Sequence, residues 1–265
     1  MIGDIETSLN NEISYILGKS GPYSYLNFEN WCQNRGRNRY LGAVIRRHRN
    51  IGVKIDKYKN KSEELNFLSQ LQHQVKKSSN IDIQVFEEEN SNKIFPNVWL
   101  MVNTLTFGQS IYLAKLMLPE KRNELTNKFF HSRMTHLVKN LELLNLIRNI
   151  CCHNGDLADI SLKTMPKISN RYNKYLNMIN GNYPHRLAIV VTVLLDLVYS
   201  IDDEYDFENP REALIDMCKV TGKKNEDGLA QNMGFRDVEA VNKLISSFKK
   251  PRTITFYPQG GYVYD

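Results

Sequence analysis

The chain has 265 residues, a formal net charge of +6 and a pI near 9.0. Hydrophobic residues make up 42% of it, which is enough to bury a core in one large helical domain or two small ones without added crosslinks. The four cysteines form no CxxC pair, which argues against a metal site, and the polar, acidic N-terminus does not resemble a signal peptide. Composition therefore disfavours a secreted, disulfide-stabilised protein and favours the reducing cytoplasm.

The spacing of apolar residues predicts helices along nearly the whole chain, and hence an all-α fold. One short segment, Ile81 to Phe86, alternates like a β-strand, and the tail from Thr253 to Tyr264 is either a strand or a disordered end. In chain order, the predicted helices are Ile5 to Leu17, Phe28 to Asn50, Ser62 to Lys77, Pro96 to Leu118, Glu120 to Phe130, Arg133 to Cys152, Ser169 to Met178, Pro184 to Ser200, Pro210 to Val220 and Asp237 to Phe248.

Some of these helices carry recognisable start signals. Ser62 is followed by two glutamates, as an N-cap residue often is, and Pro184 suits a first turn. The most apolar run, Leu187 to Ile201, contains Asp196 and is shorter than the roughly 20 residues that a bilayer span needs. We therefore expect this run to form a buried helix rather than a membrane span.

A polar stretch at residues 81–95 suggests a division of the chain. It contains three consecutive glutamates and an Asn-Ser-Asn run, which are typical of a linker or a surface excursion. We therefore predict an N-terminal basic helical region at 1–80, a linker or surface excursion at 81–95, and a helical domain with a C-terminal extension at 96–265.

Positive charge is concentrated between Arg35 and Lys61, which hold ten Lys or Arg residues against the single acid Asp56. Tyr and His residues lie among these cations, and such a mixture suits single-stranded RNA, whose bases stack and whose phosphates attract Lys and Arg. The alternative is a solvated helix face, which most charge runs are. The candidate RNA-binding residues are Arg35, Arg37, Arg39, Arg46, Arg47, Arg49, Lys54 and Lys57.

A second candidate site is the sequence Arg148-Asn149-Ile150-Cys151-Cys152-His153. At about 100° per residue, Asn149 and His153 lie one turn apart on a helix, and the long Arg148 side chain can reach the same surface. The pattern therefore predicts a polar cluster at the C-terminal end of an apolar helix. The apolar residues at helical spacing are Leu137, Val138, Leu141, Leu144, Ile147 and Cys151, and Gly155 is the expected C-terminal stop.

Arg and His together can support RNA cleavage without a metal ion. An imidazole can accept the 2′-hydroxyl proton or donate one to the leaving 5′-oxygen, and a guanidinium can hold two phosphate oxygens while charge builds. A histidine at a helix C-terminus also lies at the negative end of the helix dipole, which favours its protonated form. The alternative is that Arg148 and His153 only cap the helix and contact solvent or a carboxylate.

Two stretches of the sequence match one family pattern. Phe95 to Gly108 contains a Pro, a Trp and a Leu-Thr-Phe-Gly segment, and Leu146 to Gly155 contains Arg148-Asn149-Ile150-Cys151-Cys152-His153. In this order and at this spacing, over about Phe95 to Asp159, the chain resembles the Abi-like proteins of bacterial abortive infection, the AbiD/AbiF group. That family belongs to the HEPN superfamily, helical proteins whose Arg-x4-6-His motif serves RNA cleavage. The resemblance implies that Arg148 and His153 are the catalytic pair and that Asn149 is the polar residue that accompanies them.

The same resemblance implies several further properties. The fold would be a HEPN-like helical bundle with an additional N-terminal helical region, acting in the cytoplasm as a homodimer whose two motifs face one RNA-binding cleft. No cofactor, metal or membrane is expected, and a structured noncoding RNA is the expected partner. The chain departs from the family pattern at Asn103, where many relatives carry a Glu that could act as a general base or pair with Arg148.

Three hypotheses from different classes follow. The leading one is a metal-independent endoribonuclease of phage defence. The second is an RNA-binding module that holds a structured RNA without cutting it, and the third is an interaction protein that senses a phage component. Only the first predicts cleavage, and the third predicts neither cleavage nor affinity for RNA.

Overall fold

The computed structural model describes residues 1–33, 49–90, 92–129, 133–220, 225–248, 254–257 and 261–264, with the backbone path alone at 49–59, 128–129 and in the last two segments. Helices dominate the described residues, which confirms the predicted all-α class. The α-helices are α1 Ile2–Gly18, α2 Arg49–Lys77, α3 Ile81–Glu89, α4 Val98–Met101, α5 Phe107–Leu116, α6 Pro119–Phe129, α7 Met134–Cys152, α8 Leu187–Ile201, α9 Glu208–Lys219, α10 Glu226–Asn232 and α11 Val238–Ser246.

Short 3-10 helices and one hairpin complete the described structure. The 3-10 helices are Ser24–Leu26, Phe28–Asn30, Val102–Thr104 and Asn170–Tyr175. Near the C-terminus, β1 (Ile254–Tyr257) pairs with β2 (Gly261–Tyr264) in an antiparallel hairpin, with Ile254 opposite Tyr264. Of the two outcomes left open for the tail, the structure has the strand.

The chain divides into two compact units. One comprises residues 6–125, and the other comprises residues 1–5 together with 126–265. Residues 81–95 and 96–125 lie in the same unit as residues 6–80, whereas the sequence suggested a division on either side of 81–95. The helix that carries the Arg148 motif belongs to the second unit.

The core of the unit at 6–125 is built around aromatic side chains. The ring centroids of Phe28 and Trp31 are 4.3 Å apart, and those of Phe28 and Phe67 are 5.6 Å apart. The buried hydroxyl of Tyr25 donates to the Pro96 carbonyl oxygen at 2.6 Å, and the Trp31 indole donates to the Tyr25 carbonyl oxygen at 2.9 Å. Buried polar groups are therefore paired where these aromatic residues meet.

The second unit is organised around α8, of whose fifteen residues eleven are buried. It packs against α7, and this confirms the buried helix expected from Leu187 to Ile201. Asp196 on α8 accepts hydrogen bonds from the Tyr172 hydroxyl at 2.6 Å and from the Arg171 guanidinium at 3.0 Å, so its charge is compensated. Among the described residues, no helix combines the length and apolarity needed to cross a membrane.

The prediction of a strand at Ile81 to Phe86 is wrong, because this segment begins helix α3. The Asn80 side chain accepts a hydrogen bond from the Asp82 amide at 2.9 Å and caps the helix. Ile83 and Phe86, three residues apart, are buried, while Ile81 is exposed. A short alternating pattern is compatible with the period of a strand and with that of a helix, and here the N-cap favours the helix.

The prediction of one helix over Pro96 to Leu118 is also wrong. The chain forms α4, then the 3-10 helix Val102–Thr104, and only then α5. Thr106 stops any continuous helix because its side chain accepts from the Gln109 amide while Gln109 bonds back to the Thr106 amide, which completes a capping box. Trp99 is consequently not on the helix of Phe107, and its side chain is half exposed.

Two further predicted helix bounds differ from the structure. A helix over Phe28 to Asn50 is contradicted at its start, because Cys32 pairs with Met117 in an isolated β-bridge, and residues 34–48 lie outside the described residues. Ser62 is not a helix start, because α2 already begins at Arg49.

Six of the remaining seven predicted helices are recovered, with most of their ends shifted by a few residues. The segment Ser169 to Met178 contains only a 3-10 helix, and α10 (Glu226–Asn232) was not predicted. The predicted helices Ile5 to Leu17, Glu120 to Phe130, Arg133 to Cys152, Pro184 to Ser200, Pro210 to Val220 and Asp237 to Phe248 correspond to α1, α6, α7, α8, α9 and α11.

Candidate functional site

Helix α7 carries the Arg148 motif in its last turns. Leu137, Leu141, Leu144 and Ile147 are buried at helical spacing, as predicted, and they fix which face of α7 points away from the core. Cys151 does not belong to this buried face, because its side chain is exposed. The buried stripe therefore ends at Ile147, and the motif begins at the next residue.

The end of α7 is a Schellman motif, which sets the position of His153. His153 is the C-cap residue, and the Asn154 amide donates to the Cys151 carbonyl oxygen at 3.1 Å while the Gly155 amide donates to that of Ile150 at 2.8 Å. Asn154 adopts the left-handed conformation, with φ of 54°. Gly155 was expected to be the stop residue, but Asn154 takes that role.

Glycine is needed at residue 155 for a different reason. A Cβ atom there would lie 2.6 Å from Cγ2 of Ile150 and 3.1 Å from its carbonyl oxygen. Both distances are shorter than ordinary van der Waals contacts. The turn after His153 therefore folds tightly back over the last turn of α7.

Gly155→Ala is expected to destabilise the protein by about 1–3 kcal/mol, because the methyl group overlaps Ile150 and the cap must open. The measurement is thermal or denaturant unfolding. Gly3→Ala is a matched control, since a Cβ atom at Gly3 meets nothing within 4 Å. Equal unfolding free energies for the two variants would contradict this account of the cap.

The three predicted catalytic residues are placed as their spacing on a helix requires. The side chains of Asn149 and His153 are exposed, and that of Arg148 is half-buried and has interactions of its own within the protein. In ideal helix geometry, Arg148 and His153 are about 7.5 Å apart along the axis, and Asn149 and His153 are about 40° apart around it. An imidazole and a carboxamide therefore meet solvent on one face, while Arg148 begins about 140° around the helix axis from His153.

The candidate RNA-binding segment lies largely outside the described residues. This applies to Arg35, Arg37, Arg39, Arg46 and Arg47. Arg49, Lys54 and Lys57 lie on α2, where only the backbone is described. Their role in binding RNA stays a prediction.

A groove beside the motif was not predicted from the sequence. It has a volume of about 530 Å³ and runs between the outer face of α7 and residues 160–166. Leu146 and Ile150 contribute to its wall from α7. The sequence contained one indication of this groove: Leu146 is apolar but lies outside the buried stripe of α7. In the structure, the Leu146 side chain is 50% exposed.

Asn103 belongs to the unit that does not carry the motif, and no metal cluster is found among the described residues. Asn103 is exposed in the 3-10 helix Val102–Thr104 of the other unit. No group of three or more His, Cys, Asp or Glu side chains in the described part of the chain is arranged to hold a metal ion.

Comparison with known proteins extends the similarity beyond the motif. The sequence profile of the Abi-like protein family matches residues 1–159. The match includes the N-terminal ninety residues as well as Arg148, Asn149 and His153, and it ends four residues after Gly155. No curated protein and no solved structure matches the chain. Because the profile covers more than half of the sequence, the chain belongs to the Abi-like protein family.

Proposed function

We propose that the chain is a protein of bacterial abortive infection that acts on RNA, as a metal-independent endoribonuclease of the HEPN type. The observation that carries the proposal is the position of the Arg148 motif at the exposed end of α7, within the family match. Asn149 and His153 are open to solvent there, and Arg148, whose side chain is half-buried, lies in the same last turns of the helix. An exposed imidazole is accessible to a phosphodiester in a macromolecular substrate, and the long side chain of Arg148 extends the cationic part of the site.

The chemistry follows from these two side chains. A neutral His153 imidazole accepts the 2′-hydroxyl proton, and the 2′-oxygen attacks phosphorus while the bond to the 5′-oxygen breaks. Arg148 donates two parallel hydrogen bonds to the non-bridging oxygens and stabilises the charge that they gain. The leaving 5′-oxygen takes a proton from an imidazolium, which in the proposed homodimer is the histidine of the second copy. The products are a 2′,3′-cyclic phosphate and a 5′-hydroxyl.

Family membership supports a role in phage defence, in which the proposed nuclease damages RNA during infection. A cognate structured noncoding RNA is the proposed partner, and the basic segment at residues 35–61 supports it, because ten cations in 27 residues attract phosphates. Binding through such contacts is expected to weaken steeply as salt rises. The proposed site of action is the cytoplasm.

The nature of the products tests this mechanism. Cleavage is expected to persist in EDTA, with 2′,3′-cyclic phosphate and 5′-hydroxyl ends detected by mass spectrometry. A substrate with a single 2′-deoxyribose at the mapped cleavage site is expected to resist cutting there, because the nucleophile is missing, while other sites in the same strand serve as the internal control. Loss of cleavage in EDTA, or products with 3′-hydroxyl ends, would contradict the mechanism.

A second candidate function is an RNA-binding module that does not cleave. It is favoured by Asn103, which stands exposed where many relatives carry a Glu that could serve as a base. It predicts tight, salt-sensitive RNA binding that is insensitive to His153→Ala, with no products at any time.

A further inference from the structure

The groove beside α7 has the size and the apolar lining of a binding site for a small, partly apolar group. Its volume of about 530 Å³ falls within the range of small-molecule sites, about 300 to 1,000 Å³. Apolar side chains from both walls line it: Leu143, Leu146 and Ile150 from α7, and Ile160, Met165 and Pro166 from the facing segment. Leu146 is half exposed at the wall, so an apolar surface is open to an incoming ligand.

The wall opposite α7 is held in place by hydrogen bonds rather than by a helix. The Leu162 amide donates to the His185 carbonyl oxygen at 2.9 Å, and Nδ1 of His185 lies 2.8 Å from the Leu162 carbonyl oxygen. Leu162 and Pro166 are buried. The groove is consequently formed before any ligand arrives, which reduces the entropic cost of binding.

Positive charge surrounds this groove. Lys139 and Lys163 lie in its lining with Glu142 as the one carboxylate, and both lysine side chains are exposed. His136 lies one turn before Lys139 and is affected by the same positive charge. Burial lowers the pKa of His136, and the charges of Lys167, Arg133 and Lys139 lower this pKa further. An apolar slot with cations around it complements a nucleobase whose neighbouring phosphates carry negative charge.

The groove and His153 share one side of α7, whereas Arg148 begins about 160° around the helix axis from Leu146. Leu146 and His153 are seven residues apart, which corresponds to about 20° around the helix axis and about 10.5 Å along it. Adjacent nucleotides of a single strand can span this distance. In a duplex, by contrast, the bases are paired and stacked, so none is available to enter the groove.

We propose that the groove between α7 and residues 160–166 binds one nucleoside of single-stranded RNA, next to the phosphodiester presented to His153. Leu146 and Ile150 contact the base, and Lys139 and Lys163 attract the flanking phosphates. This assignment rests on the proposed function and specifies its substrate as an unpaired RNA segment.

The test is RNA binding by chains that cannot cut. In a His153→Ala background, Leu146→Glu is compared with Met217→Glu, which makes the same change in charge at an exposed position on α9. Fluorescence anisotropy is measured with a short labelled single-stranded RNA and with its duplex. We expect Leu146→Glu to weaken binding of the single strand by about tenfold relative to Met217→Glu, about 1.4 kcal/mol, and to leave duplex binding equal in the two variants.

A second variant does not depend on the apolar wall. The double variant Lys139→Ala/Lys163→Ala removes two exposed cations. The slope of log K against log salt for single-strand binding is therefore expected to become shallower by about 1.4. Lys219→Ala, on α9, is the control for the loss of an exposed lysine.

Three results would overturn the groove assignment. They are equal single-strand affinities for Leu146→Glu and Met217→Glu, an equal loss on single strand and duplex, or no measurable single-strand binding by any variant. Failure of the nuclease proposal is seen separately: if the wild type does not cut but Leu146→Glu still weakens single-strand binding selectively, the groove remains an RNA site and the cleavage mechanism falls.

Discussion

Replacing His153 with alanine is expected to lower RNA cleavage by about 10³-fold, because general acid–base catalysis contributes roughly 10² to 10⁴-fold. The His153 side chain is exposed at the C-cap of α7, where the backbone, not the side chain, makes the hydrogen bonds described. The free energy of unfolding should therefore change by less than about 0.5 kcal/mol. Cleavage rates and thermal unfolding, measured on the same preparation, check both expectations.

The matched control is His73→Ala, because His73 is another exposed histidine on a helix and lies in the other unit. It should cleave RNA at the wild-type rate. If His153→Ala retains full activity, the imidazole is a helix-capping or surface group and the catalytic assignment is wrong. A parallel loss of activity in both variants would trace the effect to general damage instead of to the motif.

Arg148→Lys is expected to lower cleavage by about 10²-fold, although it preserves the charge. A lysine is a point charge and cannot donate two parallel hydrogen bonds to the non-bridging oxygens, and the loss of one such donor costs about 10² to 10³-fold in comparable sites. The loss should appear mainly in kcat and less in KM, because the interaction strengthens as charge develops in the transition state. Single-turnover cleavage separates the two parameters.

Arg148 is half-buried and interacts within the protein, so its variants need a structural control. Unfolding curves for Arg148→Lys and Arg148→Ala show whether a loss of activity accompanies a loss of stability. A role limited to long-range attraction of RNA would leave kcat unchanged in Arg148→Lys, and that result would contradict direct contact with the reacting phosphate.

The parts of the fold that could be predicted are those in which the apolar residues follow one clear period over a long segment. Helices α7 and α8 are long and have an uninterrupted apolar stripe or a fully apolar run, so their bounds follow from the sequence within a few residues. The segment at Ile81 is too short for its period to be decisive, and the cap at Asn80 decides it. The apolar pattern continues through Thr106, but the capping box of Thr106 starts a new helix there. The spacing of apolar residues does not reveal such a cap.

In the candidate site, too, some features follow from the local sequence and others depend on tertiary contacts. The relation between Asn149 and His153 follows from helix geometry alone. Asn154, and not Gly155, adopts the left-handed conformation that ends the helix. Residue 155 packs tightly over Ile150, and a sequence pattern does not contain such atomic contacts. The groove could not be predicted, because its second wall is brought to α7 by hydrogen bonds between Leu162 and His185.

A denaturing-gel assay decides whether Arg148 and His153 cleave RNA without a metal ion. Wild type and His153→Ala are incubated in EDTA with a mixture of structured and single-stranded RNA, and the nucleic acid that co-purifies with each protein is recorded. Cleavage is expected from the wild type, and His153→Ala is expected to cut about 10³-fold more slowly, so that it gives no product over the same time course. If neither protein cuts while both carry a discrete RNA, the nuclease account is contradicted and the protein binds RNA without cleaving it.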